Sequence, residues 1–442
     1  MPTSLKADAS PQKDFLIHQL TLDITLRDCI LDLVDNSVDG IQNYRARAHK
    51  PYRGSKPYAG YRADISFSDK TFRIVDNCEG IPIEVAKHYA FTFGRAKGAP
   101  EVSGSIGRYG IGMKRAIFKL GEGITILSST RTEAFRLPID VREWEKKPEW
   151  DFSFQEVSKT PEPGTSIHIE KLREEIADEL ARPNFEKDLA KTLERDYSFI
   201  IEKGFAIKLN GRPVKPLGFT FKSDHNFKPY KAQFSSDGMQ IDVVGGMIAS
   251  PPTDTNAGAP MKDPERSGWF LVCNDRVVLD GDKTARTGWG TDGVPFWHPQ
   301  YNGFCGMALL EADDSSMLPW TTTKRDVDDT SAIYQEVLKR MRDATRQYKD
   351  YTNSRKGHES YFRELEQKAK AVPLSELGIS AVMKFPKAPG RKKSDLRSIS
   401  YSRPEKQILA VAKALGSVAM SNKEVGEKTF DDFYSKHAGS ED

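Results

Sequence analysis

Cysteine is scarce: four residues in a chain of 442, Cys29, Cys78, Cys273 and Cys305, with no CxxC spacing among them. That excludes a readable zinc site and a dense disulfide framework, and it suits reduced thiols in a cytoplasm. Long apolar runs are missing too. No stretch reaches the roughly 18 residues that a membrane span needs, and the start, MPTSLKADASPQKD, lacks the apolar core of a secretory leader. Nor does one sign of charge dominate. Lys and Arg number 66 against 63 Asp and Glu, so a formal charge of +3 does not argue for nucleic acid, and any basic patch must be local. No internal repeat is present. The expectation is a soluble, cytoplasmic protein without membrane contact, long enough for two or three domains.

Against these absences stands one acid-rich helix. In LRDCILDLVDNSVDG, residues 26–40, Leu26, Ile30, Leu33, Val34, Ser37 and Ile41 share one side of a wheel of about 100° per residue. Asp32, Asp35, Asn36 and Asp39 fall opposite. An ordinary amphipathic helix would turn that polar face to water. This face, however, carries compact oxygen ligands rather than long charged side chains. Asp32 and Asn36 are spaced i, i+4, so they converge and could hold a hydrated magnesium ion and orient a water.

Downstream, ADISFSDKTFRIVDN alternates apolar and polar residues about Ser68-Asp69-Lys70, the pattern of a hairpin ending in Asp76 and Asn77. A loop with Gly94, Gly98, Gly104, Gly107, Gly110 and Gly112 runs into a helical pattern near Met113. Strands are expected at GITILSST, AFRLPID and GTSIHIEKL, then helix over 174–203 with a break at Pro183. From about residue 204 short strands recur (FAIKLNGRPVKP, MQIDVVGGMIAS, GWFLVCNDRVVL, GFCGMALLEA), followed by a helix entered through Asp and Ser caps. Residues 383–404 hold Lys384, Lys387, Arg391, Lys392, Lys393, Arg397 and Arg403 against one acid, as a plain tether or a DNA contact would.

A glycine loop opening onto a helix N-terminus is a general anion site, and GRYGIGMK alone is weak evidence of more. Taken in order, DLVDNS, DNCEGIP, GRYGIGMK and GTSIHI resemble the four motifs of the GHKL ATPases, the Bergerat-fold superfamily that includes Hsp90, gyrase B, MutL, histidine kinases and MORC proteins. The resemblance implies ATP and Mg²⁺, with Asn36 as the metal ligand and Asp32 as the base that activates water. It assigns the adenine contact to Asp76 and Thr165 and the close backbone approach to Gly80, beside Ile81. It gives the phosphates to Gly107, Tyr109, Gly110, Ile111, Gly112, Met113 and Lys114, with residues 92–110, Lys97 included, as a mobile lid. Two positions depart from the family: Asp32 stands where many hydrolysing members carry Glu, and Cys78 where Gly is usual.

The loop looks most like the MORC and Hsp90 versions. In the superfamily's split members an S5-type domain follows and brings a lysine to the γ-phosphate; NGRPVKP resembles its opening hairpin and Lys324, in LPWTTTKRDVD, is the candidate lysine. The expected class is α+β: an N-terminal Bergerat-fold sandwich (1–200) with a mixed sheet and helices on one face, then an S5-like transducer (201–335). A helical extension (336–380), a basic linker (381–405) and a helical C-terminal tail (406–442) complete the division. The implied function is a slow ATPase switch that closes or homodimerises on DNA or partner proteins. An ATP-sensing module with little turnover and a chaperone with protein clients are the alternatives.

Overall fold

A computed structural model describes residues 12–49, 54–94, 105–106, 110–252, 264–321, 324–389 and 398–438. By compactness the chain divides into Met1–Ala388 and Pro389–Asp442. In chain order the first unit begins with α1 (Lys13–Leu22), α2 (Leu26–Ala48), β1 (Arg62–Phe67), β2 (Phe72–Asp76), α3 (Ile83–Val85) and α4 (Gly112–Leu120). There follow β3 (Gly121–Ser129), β4 (Ala134–Asp140), α5 (Val141–Glu145), β5 (Gln155–Glu156), β6 (Gly164–Leu172), α6 (Glu174–Leu180), α7 (Phe185–Asp196), α8 (Ser198–Glu202), β7 (Ala206–Leu209) and β8 (Arg212–Pro213). The eight strands form one mixed sheet in the order β5-β4-β3-β6-β2-β1-β7-β8, antiparallel throughout except that β1 and β7 run parallel.

Local chemistry explains these elements. The β1–β2 hairpin closes where the Ser68 hydroxyl accepts the N–H groups of Lys70 and Thr71, and its alternation buries Ala63, Ile65, Phe72 and Ile74. Thr25 caps α2 by accepting the Asp28 N–H, and His49 ends it in the left-handed region at φ 50°. Pro183 separates α6 from α7, as its missing N–H requires. The α4 helix begins at Gly112 and packs against α2, covering Ile117, Phe118 and Leu120.

One expectation is corrected here. The hairpin in NGRPVKP, read as the start of the second domain, instead extends the first sheet, because β7 takes up the free edge of β1.

The second region has β9 (Thr220–Lys222), β10 (Tyr230–Ser236), β11 (Met239–Met247), β12 (Gly268–Cys273), β13 (Arg276–Asp282), β14 (Phe304–Ala312), α9 (Ala332–Ser354), α10 (Glu359–Lys368) and β15 (Ala371–Pro373). Its five-stranded sheet runs β10-β11-β14-β12-β13, and β15 pairs with β9. Helix α9 lays Ile333, Tyr334, Val337, Met341 and Ala344 on that sheet. Ser331 occupies its N-cap position, but its hydroxyl makes no capping bond.

A second correction concerns the linker. Residues up to Phe385 are fastened to this region: Ser380 and Lys384 bridge Lys231 and Lys228, and Phe385 stacks on Tyr351 at 4.0 Å. Arg391, Lys392, Lys393 and Arg397 lie outside the described residues. The C-terminal unit holds α11 (Glu405–Ala414) and α12 (Asn422–His437), the latter started by a Ser421/Glu424 capping box.

Candidate active site

The aspartates on the polar face of α2 do not meet water, and Asn36 among them is half-buried. Asp32, Asp35 and Asp39 are all buried, because α4 and the second region close over the side that sequence periodicity leaves to solvent. Each carboxylate therefore needs partners. Asp32 Oδ2 accepts Arg115 Nε at 2.7 Å, and Asp39 Oδ1 accepts the Ile106 N–H at 2.6 Å. Gly112 lets α4 start this close to α2: a Cβ there would sit 3.2 Å from both Cγ and Oδ2 of Asp32. Asn36, between these acids, has a buried amide nitrogen with no partner.

At the other end of the site Asp76 is held by neutral donors. Its Oδ1 accepts the N–H groups of Cys78 (2.9 Å) and Thr165 (3.0 Å), and its Oδ2 accepts the Ser37 hydroxyl (2.8 Å). Burial pushes its pKa above the ordinary carboxylate value and outweighs those three bonds. Thr165 and Ser128 share a hydroxyl bond of 3.0 Å, and Ser128 also receives the Ile81 N–H. Gly80 has φ 66°, and a Cβ on it would fall 2.2 Å from the Ser129 carbonyl oxygen. Glycine is demanded there by the neighbouring strand, a reason sequence reading did not supply. Cys78, where the family has Gly, is buried, and Gly40 of α2 leaves room for its carbonyl.

Of the glycine loop, Lys97, Gly107 and Tyr109 lie outside the described residues. Gly110 is left-handed at φ 64°, Ile111 takes the N-cap position of α4, and Gly112 and Met113 open the helix. Lys114 is buried, with its ammonium 3.0 Å from the Ala90 carbonyl, and burial depresses its pKa to about 8.

The second region inserts cations against α2. A tight loop, closed by the Trp320–Val327 bridge, presents Lys324 at φ 55°, and its ammonium lies 2.8 Å from Asp35 Oδ2. Arg325 reaches Asp28 (2.9 Å) and Asp196 (2.7 Å). Asn274 and Asp275, both at positive φ, turn β12 into β13 and deliver Arg276, whose Nε lies 3.1 Å from Asp35 Oδ1 while its guanidinium stacks over Tyr197. The Tyr197 hydroxyl is 2.7 Å from Asp35. Burial opposes ionisation of Asp35, but Lys324 and then Arg276 overcome it and hold its carboxyl below the ordinary range. Burial likewise works against the Lys324 charge, and Asp35, Asp32 and Asp39 more than restore it.

A family model described as Histidine kinase-, DNA gyrase B-, and HSP90-like ATPase matches residues 24–170, the span that holds α2, the β1–β2 hairpin, α4 and β6. That match places residues 24–170 in the GHKL/Hsp90-like ATPase superfamily. No curated protein matches the chain.

In this ATPase domain the donor set suits magnesium on one condition. Among the described residues no cluster of three or more His, Cys, Asp or Glu could hold a metal, so an ion at Asn36 would take its other ligands from phosphate and water, the usual habit of Mg²⁺. Asn36 would ligate such an ion through its side-chain oxygen, while its unpartnered amide nitrogen is a donor free for a phosphate oxygen or a water. A cavity of about 580 Å³ bordered by Lys13, Glu122, Arg142 and Arg173 shares no residue with the site. Among the described residues no helix is long and apolar enough to cross a membrane. Sequence reading missed Arg115, Arg276, Arg325, Asp196 and Tyr197. Their partners lie from 83 to 297 positions away for the four contacts Arg115–Asp32, Tyr197–Asp35, Arg276–Asp35 and Arg325–Asp28, beyond any local pattern.

Proposed function

We propose that the chain is an ATP-hydrolysing switch of MORC- or Hsp90-like type in which the second region responds to the state of the bound nucleotide. The observation that carries this is Lys324 on Asp35, next in sequence to Asn36: a cation from outside the ATPase domain already sits at the helix assigned to the phosphates. Asp76 accepts the adenine amino group, with Thr165 beside it, while Gly80 and Ile81 shape the backbone there. The phosphates are assigned to Gly110, Ile111, Gly112, Met113 and Lys114, together with Gly107, Tyr109 and Lys97, which lie outside the described residues. Asn36 would hold a magnesium ion, which when bound would neutralise phosphate charge. Asp32 orients the water and takes its proton as oxygen bonds to the γ-phosphorus and the bond to ADP breaks.

An intact γ-phosphate offers Lys324 an alternative to Asp35, and that differential contact is what lets ATP, and not ADP, shift the arrangement of the second region. DNA or a partner protein is the candidate target, and DNA would be met by the basic run of residues 383–404. Phosphate release measured with and without DNA tests the reading. Turnover should appear in the wild type, fall about 10²- to 10⁴-fold in Asp32→Asn, and rise with DNA at low salt. Equal rates in wild type and Asp32→Asn would remove Asp32 from catalysis, and a rate indifferent to DNA at every salt concentration would remove nucleic acid.

A further inference from the structure

The Asp32 side chain is one methylene shorter than the Glu found in many relatives, so its oxygens stay about 1.5 Å nearer the axis of α2. A carboxylate base, on a short stem or a long one, must also be aimed. The terminal torsion of Asp is broad, so the stem alone does not fix where each oxygen points. Here it is fixed from outside. Arg115 donates Nε to Oδ2 at 2.7 Å, with the two side chains only 8% and 6% exposed. The contact is made edge-on by Nε, and Oδ1 takes no hydrogen bond among the described residues. One oxygen is thus clamped and the other left for a water.

The clamp also has a particular origin. Arg115 stands on α4, three residues after Gly112, whose missing Cβ brings the start of that helix against the same carboxylate. The helix that opens behind the glycine loop therefore holds the base as well. We infer that Arg115 is a positioning residue for hydrolysis, aiming Asp32 Oδ1 at the attacking water and making that aim depend on the seating of α4. This rests on the ATPase reading above.

The test compares kcat, KM and ATP affinity for the wild type, Arg115→Met, Arg115→Lys, Asp32→Asn and the double variant Asp32→Asn/Arg115→Met. Misplacing a catalytic group by about 1 Å costs on the order of 10² in rate. Arg115→Met should accordingly lower kcat about 10- to 100-fold, with KM and affinity changed less than about threefold. Arg115→Lys should recover part of the loss, and in the Asp32→Asn background the Met substitution should add nothing, because it acts through Asp32. Should Arg115→Met fail to fold, Arg115→Lys carries the same comparison, since an ammonium cannot reproduce the Nε geometry. An unchanged kcat, a defect confined to KM, or a loss that persists beside Asp32→Asn overturns the inference. A wild type that binds ATP without turning it over also overturns it while leaving nucleotide binding intact; a wild type that binds no ATP defeats the ATPase reading itself.

Discussion

Two aspartates at opposite ends of the site live under opposite electrostatics. Asp76 is packed among neutral donors, Ser37, Cys78 and Thr165, and its pKa rises. Asp35 is surrounded by Lys324, Arg276 and Tyr197, and its pKa falls. Asp35 is buried and Asp76 half-buried, and desolvation opposes ionisation at both; the charge of the neighbours sends the two pKa values in opposite directions. A carboxylate held by neutral donors needs no counter-ion, whereas the one at the junction of two regions is retained because two cations of the second region, Lys324 and Arg276, answer it. In the function proposed above the first end recognises a ligand, and the second joins two regions of the chain.

The comparison breaks most visibly when each carboxylate is removed. Asp35→Ala strands Lys324 and Arg276 without their shared partner, and loss of one side of a buried ion network typically costs about 3 to 5 kcal/mol. Asp76→Asn keeps one oxygen for its two N–H donors and should leave stability within about 1 kcal/mol, while weakening ATP binding by roughly 1 to 3 kcal/mol. Urea midpoints and ATP calorimetry on the two variants check this. Similar stability losses would show that the ends do not differ.

Acid sharpens the same contrast. The pKa values of Asp35 and Asp196 lie below the ordinary 3.8, so the stability they contribute is present above pH 3.8 and is lost as pH falls below it. Asp76 works the other way. Its raised pKa means the folded state binds the extra proton more tightly, so its contribution diminishes as pH rises from 3.8. Asp196→Asn should flatten the acid limb of a stability-pH curve and Asp76→Asn should steepen it, as measured by denaturant midpoints from pH 6 downward.

The smallest effect belongs to Lys114. Depressed to about 8 from 10.5, it holds fewer protons folded than unfolded between those values, so its contribution to stability grows as pH rises from 8 to 10.5. Lys114→Met should remove that rise, visible as a flatter Tm profile over this interval.

How much of this was legible in the sequence depended on distance along the chain. The β1–β2 hairpin and α2 rest on local alternation and periodicity, the break at Pro183 on its missing N–H, and the four motifs on resemblance to a known family; the structure places Asp32, Asn36, Asp76 and Thr165 on the elements expected. Periodicity in α2 separated its two faces but could not say that the acids of the polar one are covered, because the cover comes from α4, Tyr197 just after α7, and the Lys324 loop. Arg276 looks from the sequence like any exposed cation beginning a strand; a turn and a register put it on Asp35. The edge of the first sheet was misjudged for a similar reason, since β7 is too short to announce its partner.

That short strand also decides where the molecule can be cut. A fragment ended at residue 200, where motif reading stops, would leave β1 as a bare sheet edge with its backbone groups unpaired, an invitation to aggregate. Ended past Val214, it keeps β7 and β8 as a natural selvage: β8 is only two residues long, and Pro213 offers no amide to a passing strand.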